Sequence, residues 1–148
     1  MEIRIQKIDE TKNEYIEIGC HKTDGRVQDI VRFIKNRQGS IEAVRQEQHY
    51  QLPITDIYYI EAVDDKTFIY LKSDCFETRK RLYEFEEILS GREFGRVSKS
   101  VLVNLMKISS IKPALNGRFM CILKNGEKVI ISRKYVADIK EMLKGGRE

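Results

Sequence analysis

The residues with the clearest chemical potential are the cations between Arg96 and Lys134. This stretch of 39 residues contains nine lysines and arginines and one acid, Glu127, so its formal charge is nine minus one, or +8. The whole chain carries +4, and residues 1–50 contribute none of it, because their nine basic and nine acidic residues cancel. A local positive field of this size attracts polyanions such as nucleic acids. The same run also fits a solvated basic face, and charge alone does not separate these two interpretations.

Residues that could support catalysis or bind a metal are scarce. The chain contains no phosphate-binding glycine motif, no paired metal-binding histidines and no nucleophile motif of the common hydrolase type. His21 and His49 have no cysteine or histidine nearby at ligand spacing, and Asp64-Asp65 is typical of a turn. The sequence therefore predicts a protein that is not an enzyme, with no metal, no cofactor and no small-molecule substrate.

The composition is typical of a globular cytoplasmic protein. The length of 148 residues fits one domain with a modest extension, and 41% hydrophobic residues are enough to build a core. No stretch approaches the roughly 18 apolar residues of a membrane-spanning helix. The alternating start, residues 1–8, is unlike a signal peptide. Cys20, Cys75 and Cys121 form no C-x-x-C pair, which is typical of reduced thiols in the cytoplasm.

The elements that must position these residues begin with a small β-β-α segment, residues 1–39. Alternation predicts strands over about 2–8 and 14–20. A helix is predicted over about 24–37, with Asp24 as its N-cap and Gly39 as its stop. One face of this helix carries Val27, Ile30, Val31 and Ile34. That apolar face fits a dimer or partner contact, and it equally fits ordinary core packing.

Residues 40–148 read as a second, mainly β unit. Strands are expected near 41–46, 49–52, 57–63, 67–72, 75–80, 108–114, 118–124 and 127–132. Short helices are expected over about 81–89 and 134–144, the second ending at Gly145-Gly146, and the apolar run 101–106 is interpreted as a helical turn. Asn125-Gly126 predicts a hairpin with a type I′ turn. No two helices are joined by a short turn, so any DNA recognition must use loops and strand ends.

Four fragments in order resemble the motifs of the LytTR family of bacterial DNA-binding domains. Ile57-Tyr58-Tyr59-Ile60-Glu61 is similar to the opening I-x-Y-I-E, and Leu82-x-x-Phe85-Glu86-x-x-Leu89 is similar to the family's short helix. Phe94-x-Arg96-Val97-Ser98-Lys99-Ser100-x-x-Val103-Asn104 resembles F-x-R-[VI]-H-[RK]-S-x-[IL]-V-N. Asn125-Gly126 with Ile131-Ser132-Arg133-x-Tyr135 resembles the closing motif. The resemblance covers residues 54–144, close to two-thirds of the chain.

The resemblance implies an elongated LytTR-like β fold that binds double-stranded DNA as a transcription regulator, with loops in successive major grooves. Its contact positions fall on three loops: one before strand 67–72, one after Arg96, and one at the end of the last strand. The predicted DNA-binding residues are Lys66, Thr67, Arg96, Ser98, Lys99, Ser100, Asn104, Arg133 and Lys134.

The side-chain chemistry agrees with these positions. Arg133 can present a bidentate fork to guanine, Lys99 can reach a base or a phosphate, and short hydroxyls suit phosphate oxygens. Local capping by Ser100 and Asn104 fits the sequence at least as well as DNA contact. A surface ion pair is the alternative role for Arg133.

The sequence departs from the family pattern at two points, and these limit which properties of the family can be expected of this chain. Ser98 stands where many members have histidine, so the target sequence cannot be inferred from the resemblance. Residues 1–39 are also too short for a phosphorylatable receiver domain. Members with this short layout often accompany a small membrane protein that restrains them, so such a partner is an expectation, as is a homodimer on paired sites. The alternative function is a protein–protein interaction module, such as a cytoplasmic anti-activator without direct DNA readout.

Overall fold

The structure is a computed structural model of the chain and describes residues 1–37 and 39–145. Within these residues the chain forms ten strands and three α-helices. In chain order they are α1 (Gly25–Arg37), β1 (Ser40–Arg45), β2 (Gln48–Pro53), β3 (Tyr59–Val63), β4 (Lys66–Tyr70), β5 (Cys75–Thr78), α2 (Leu82–Ile88), β6 (Phe94–Arg96), β7 (Val101–Asn104), β8 (Ile108–Pro113), β9 (Phe119–Leu123), β10 (Lys128–Ile131) and α3 (Arg133–Gly145). The prediction of a mainly β fold with short helices is confirmed.

Seven of the strands form one antiparallel sheet in the order β2-β1-β5-β4-β3-β7-β6. Every second side chain of these strands points to the same face of the sheet. On that face the side chains pack with Leu82 and Phe85 of α2 and with Leu89, which directly follows the helix. Burial of these apolar side chains is the main force that holds α2 on the sheet, because a seven-residue helix is not stable alone. The first hydrophobic core therefore lies between the large sheet and α2.

The other three strands form a second antiparallel sheet in the order β10-β9-β8. Its buried side chains, among them Leu123 and Ile131, pack with Ile139 of α3 in a second core. Strand β7 joins the two cores, because Leu102 belongs to the first core while Val101 and Val103 belong to the second. A strand buried on both faces carries apolar side chains on both, which explains the three consecutive apolar residues that begin β7.

Two predicted strands near the N-terminus are absent from the structure. Residues 2–8 and 14–20 form no ladder with any strand of the described chain, and Ile3 and Ile5 are 92% and 94% exposed. Alternation alone does not make a strand, because the backbone hydrogen bonds and the apolar face both require a partner. The predicted β-β-α segment is therefore wrong in its two strands and right in its helix.

The helix α1 begins as expected. Asp24 accepts a hydrogen bond from the Val27 amide through Oδ1 at 3.1 Å, which confirms its N-cap role. Gly39 has a φ of 106°, a conformation that glycine adopts without strain, and it directly precedes β1. The boundary between Gly39 and Ser40 stays a prediction, as does the division into two units.

A further correction concerns residues 101–106. Residues 101–104 form strand β7 and residues 105–107 a single 3₁₀ turn, so the predicted helical turn is correct only in its last part. Strand β6, which pairs with β7, was not predicted at all. At three residues it is too short to produce a periodic pattern.

The hairpin at Asn125-Gly126 is confirmed, but its turn type is not. The Gly126 amide donates to the Leu123 carbonyl at 2.9 Å, and the Leu123 amide donates to the Glu127 carbonyl at 2.8 Å. The loop therefore has three residues, and Gly126 has a positive φ of 90° while Asn125 does not. A type I turn closed by a glycine bulge has this pattern, whereas type I′ requires positive φ at both residues.

The last helix starts one residue earlier than predicted, at Arg133. It continues to Gly145, so the first glycine of the predicted stop is inside the helix, and Gly146 lies outside the described residues. Helix α3 packs its Ile139 against β6, where a Cβ added to Gly95 would lie only 2.7 Å from Ile139 Cδ1. A side chain at position 95 would therefore force the buried Ile139 side chain to shift.

Candidate nucleic-acid interface

The three loops predicted to contact DNA meet at one end of the two sheets. The Ala62 amide at the end of β3 donates to the Ser100 carbonyl at 2.8 Å, which places the β3–β4 turn beside the loop between β6 and β7. The Ser132 amide at the end of β10 donates to the Val97 carbonyl, also at 2.8 Å. Backbone hydrogen bonds therefore connect all three loops. We call residues 64–66, 98–100 and 133–134 the loop surface.

The middle loop has a fixed shape. Its ends are closed by the Val97 amide, which donates to the Val101 carbonyl at 3.0 Å. Inside the loop, Ser98 Oγ accepts from the Ser100 amide at 3.2 Å, a local turn typical of serine. Lys99 lies at the apex and is exposed, while both serines are half-buried. The loop therefore presents one cation, and its serines mainly stabilise the turn.

Arg96 stabilises this loop by hydrogen bonds that connect it to α2. Its Nε donates to Glu86 Oε1 of α2 at 2.7 Å, its Nη2 donates to the same oxygen, and its Nη1 donates to the Lys99 carbonyl. The Arg96 side chain is only 21% exposed. Because its guanidinium is already occupied on two sides, the structure places Arg96 as a support of the loop. This differs from the predicted direct contact with DNA.

Two further predicted contact residues are buried. Thr67 is 3% exposed on β4, between Ala62 of β3 and Thr78 of β5. Asn104 is 4% exposed; its Nδ2 donates to the Ile57 carbonyl at 2.8 Å and its Oδ1 accepts from the Met106 amide at 3.0 Å. Both side chains are buried in this conformation and belong to the framework of the sheet, so their predicted contact with DNA is not supported by their exposure and stays a prediction. Asn104 has the capping role that was its alternative.

The third loop presents Arg133 and Lys134, both exposed, at the first turn of α3. The aliphatic part of Arg133 lies over Gly117, where an added Cβ would be 2.9 Å from Arg133 Cδ. No carboxylate of the described residues lies within ion-pair distance of Arg133. Its guanidinium is therefore available to a ligand, unlike that of Arg96.

The sequence reasoning missed three cations at the same end. Thr78 pairs with Thr67 in the sheet, so the exposed Arg79 and Lys80 that follow it lie beside the β3–β4 turn. Arg118 precedes Phe119, which pairs with Ile131 next to the third loop. Arg79 and Lys80 could have been found from the sequence, because they belong to a run of three basic residues. They were missed because residues 75–80 were assigned to a strand and not to a loop.

The β3–β4 turn also carries negative charge. Asp64 and Asp65 are exposed at its tip, directly before the exposed Lys66. Asp64 has a φ of 55°, a conformation that aspartate tolerates better than most residues. A carboxylate repels phosphates but can accept a hydrogen bond from cytosine N4, so this turn is suited to a groove more than to the backbone.

The described residues could also contain a metal site or a membrane-spanning helix. In residues 1–37 and 39–145 there is no group of three or more histidine, cysteine or acidic side chains that could hold a metal ion. None of the helices in these residues is both long enough and apolar enough to cross a bilayer.

A sheet end that exposes cations on several hydrogen-bonded loops, without a paired recognition helix, defines a class of proteins that contact nucleic acid through β-sheet loops. The comparison with known families agrees. Residues 47–144 match the family model described as LytTR, the LytTr DNA-binding domain. The chain belongs to the LytTR family.

Solved and curated relatives support this assignment. The LytTr DNA-binding domain of a putative methyl-accepting/DNA response regulator from Bacillus cereus superposes with a TM-score of 0.67 at 27% identity, covering 71% of this chain and 96% of that domain. The transcriptional regulatory protein YpdB of Escherichia coli O6:H1 is 31% identical over 111 residues, 74% of this chain. These residues make up 45% of YpdB, so the chain matches about half the length of such relatives.

One relative has a similar overall extent. The uncharacterized HTH-type transcriptional regulator SAB2242 of Staphylococcus aureus is 29% identical over 132 residues, which cover 87% of this chain and 88% of SAB2242. The similarity to SAB2242 therefore extends beyond the 47–144 region of the family model.

Proposed function

We propose that this protein is a transcription regulator that binds specific sequences of double-stranded DNA through the loop surface. The observation that carries the proposal is that backbone hydrogen bonds connect the loops that carry Lys66, Lys99 and Arg133 at one end of a LytTR fold. The B-DNA major groove is about 12 Å wide and admits such β-sheet loops. The proposal places successive loops in successive major grooves.

The cations of the loop surface have different roles in this proposal. Arg133 has no ion pair with the described residues and makes a bidentate contact to a guanine, which is worth about 1–3 kcal/mol of discrimination. Lys66 and Lys99 contact phosphates or base acceptors, and Lys134 adds to the positive field beside them. Ser98 and Ser100 contribute backbone amides and a fixed turn more than free hydroxyls.

Some parts of the proposal concern the whole protein. It acts as a homodimer on paired sites in the cytoplasm, without catalysis, a cofactor or a small-molecule substrate. A small membrane protein as a restraining partner is supported only by the resemblance to short family members. These statements are part of the proposal and are not taken from the curated relatives, because the chain matches only about half of their length.

A second candidate function is a protein–protein interaction module without DNA readout. The exposed apolar side chains of residues 1–33, which include Ile3, Ile5 and Phe33, favour it. The two functions differ in salt dependence. DNA affinity falls steeply as salt rises, because counterions are released, whereas an apolar protein interface weakens little.

The test is fluorescence anisotropy with labelled DNA from upstream of the protein's own gene, in the presence of scrambled competitor DNA at two salt concentrations. We expect Arg133→Ala to weaken the specific complex at least about 10-fold, and Arg133→Lys to lose most of the same preference because lysine lacks the planar fork. Lys124→Ala, at the opposite end of the sheets, is the matched control and should change affinity little. Equal, weak binding of both DNAs that Arg133→Ala leaves unchanged would refute direct readout.

A further inference from the structure

The loop between β8 and β9, residues 114–118, lies at the same end of the sheets as the loop surface. Phe119 at the start of β9 pairs with Ile131 at the end of β10, two residues before Arg133. Gly117 lies under the Arg133 side chain, since a Cβ added to this glycine would be 2.9 Å from Arg133 Cδ. The β8–β9 loop is therefore a direct neighbour of the residue that we propose to contact a guanine.

The tip of the β8–β9 loop is a tight turn. The Arg118 amide donates to the Leu115 carbonyl at 3.3 Å, and Arg118 Nε donates to the same carbonyl at 3.2 Å. Asn116 and Gly117, at the centre of the turn, have φ values of 61° and 74°. Positive φ at both central residues is the pattern of a type I′ turn, which Asn-Gly adopts with little strain. The turn therefore gives its exposed residues a defined position beside Arg133.

Leu115 is the first residue of this turn, and it is 79% exposed. It belongs to neither hydrophobic core, so it adds little apolar burial to the fold. A single exposed leucine is ordinary on a protein surface, so its exposure alone indicates no function. Its position is informative, because the ends of a β-turn lie within about 7 Å of each other and successive base pairs are about 3.4 Å apart. A DNA duplex that reaches Arg133 therefore also comes within reach of Leu115.

The surroundings of Leu115 favour DNA over a protein as its partner. Residues 108–126 contain no Asp or Glu, whereas Lys112 and Arg118 are exposed on the same hairpin and Arg133 is exposed beside it. A stable protein interface covers about 800 Å² on each partner, far more than one leucine among cations offers as apolar surface. The methyl group of thymine projects into the major groove and is matched in size to a single apolar side chain.

We infer that Leu115 contacts the methyl group of a thymine within a few base pairs of the guanine proposed for Arg133, so that the β8–β9 loop is a fourth DNA-contacting loop. The inference rests on the proposed function and adds a base preference to it. In the major groove this methyl group distinguishes thymine from the other bases. The contact is apolar and depends on the removal of the methyl group from water, unlike the charged contacts proposed for the loop surface.

The test uses the specifically bound segment of the DNA upstream of the protein's own gene, with each thymine replaced in turn by deoxyuridine. This replacement removes only the methyl group and leaves base pairing and charge unchanged. Fluorescence anisotropy of the wild-type complex should show a loss of about 3- to 10-fold at one thymine of each site, the change expected when one methyl group is no longer buried. Leu115→Ala should weaken binding to unmodified DNA by a similar factor. It should bind the corresponding deoxyuridine DNA as tightly as unmodified DNA.

Met106→Ala is the matched control. Met106 is an exposed apolar residue next to Lys107, whose carbonyl accepts from the Lys124 amide at the opposite end of the sheets. This variant should keep both the wild-type affinity and the full loss on deoxyuridine DNA. Thermal unfolding of Leu115→Ala should match wild type, because Leu115 belongs to neither core.

The outcomes separate this inference from the proposed function. A specific complex that requires Arg133, but that shows no loss with any deoxyuridine or shows the same loss in Leu115→Ala, would overturn the inference alone. A wild-type chain that binds specific and scrambled DNA equally weakly would overturn the proposed function and this inference together.

Discussion

Cations of similar exposure on the loop surface can differ in what they recognise. The aliphatic part of Arg133 lies over Gly117, and its guanidinium is a planar fork of a kind that suits a base edge. Lys99 presents a point charge at the apex of a closed turn, a geometry that suits a phosphate. A phosphate contact adds to affinity on every sequence, whereas a base contact adds to affinity on one.

We therefore expect Lys99→Ala to weaken binding to specific and scrambled DNA by similar factors. The slope of log affinity against log salt concentration should become shallower by about 1, because one fewer phosphate is neutralised. The measurement is anisotropy over a series of salt concentrations. Lys72→Ala, an exposed lysine in the β4–β5 turn at the other end of the sheet, should leave the slope unchanged. A selective loss on the specific sequence alone would assign Lys99 to base readout.

At the scale of elements, the loop that carries Lys99 depends on α2. Glu86 of α2 accepts two hydrogen bonds from Arg96, and Arg96 donates to the Lys99 carbonyl. An exposed ion pair contributes about 0–1 kcal/mol. The Arg96 side chain is mostly covered, so its pairing with Glu86 is less screened by solvent than that of a surface arginine. Helix α2 therefore sets the position of the loop that carries Lys99, which we propose as a DNA contact.

The Glu86→Gln variant tests whether Glu86 acts by positioning the loop or only through the electrostatic field of its negative charge. Removing an acid near the loop surface should strengthen DNA binding if only the long-range field matters. We expect the opposite, a loss of about 3- to 10-fold, because the loop loses its support. Anisotropy with the specific DNA measures the change. Glu87→Gln on the same helix removes the same charge without touching Arg96, and it should leave affinity equal or slightly higher. Tighter binding by Glu86→Gln would contradict the positioning role.

The elements also show how far the sequence could predict the fold. The paired strands β3, β4 and β9, β10 alternate between a buried and a more exposed face, so their patterns predicted them well. Strand β7 was misread because both its faces are buried, and a continuous apolar run does not distinguish a buried strand from a helix. Residues 2–8 were misread for the opposite reason, since their alternation has no partner within the chain.

The candidate site was predictable to a similar extent. The resemblance to the LytTR motifs gave the positions of all three loops along the chain, because the family's contact positions could be mapped onto the matching residues. The motifs did not show that Arg96 and Asn104 point inward, since that depends on Glu86 and Ile57, which are 10 and 47 residues away in the chain. Arg79 and Lys80 join the same end only through the pairing of Thr78 with Thr67.

At the scale of the whole molecule, one strand connects two cores. Leu102 of β7 faces the core under α2, and its neighbours Val101 and Val103 face the core under α3. The loop before β7 belongs to the loop surface. We therefore expect a change in either core to affect the loop before β7 through this shared strand, and we expect the two sheets to unfold as one cooperative unit.

Leu102→Ala tests this cooperativity. Removing a fully packed leucine from the first core should lower the free energy of unfolding by about 2–5 kcal/mol. Because β7 is shared, the loss should move the urea transition seen by far-UV circular dichroism and the one seen by tyrosine fluorescence by the same amount. Ile130→Ala, at a position on β10 that is 39% exposed, should cost less than about 1 kcal/mol. Two separate transitions in Leu102→Ala would mean that each sheet unfolds independently, and that β7 does not couple the core under α2 to the core under α3.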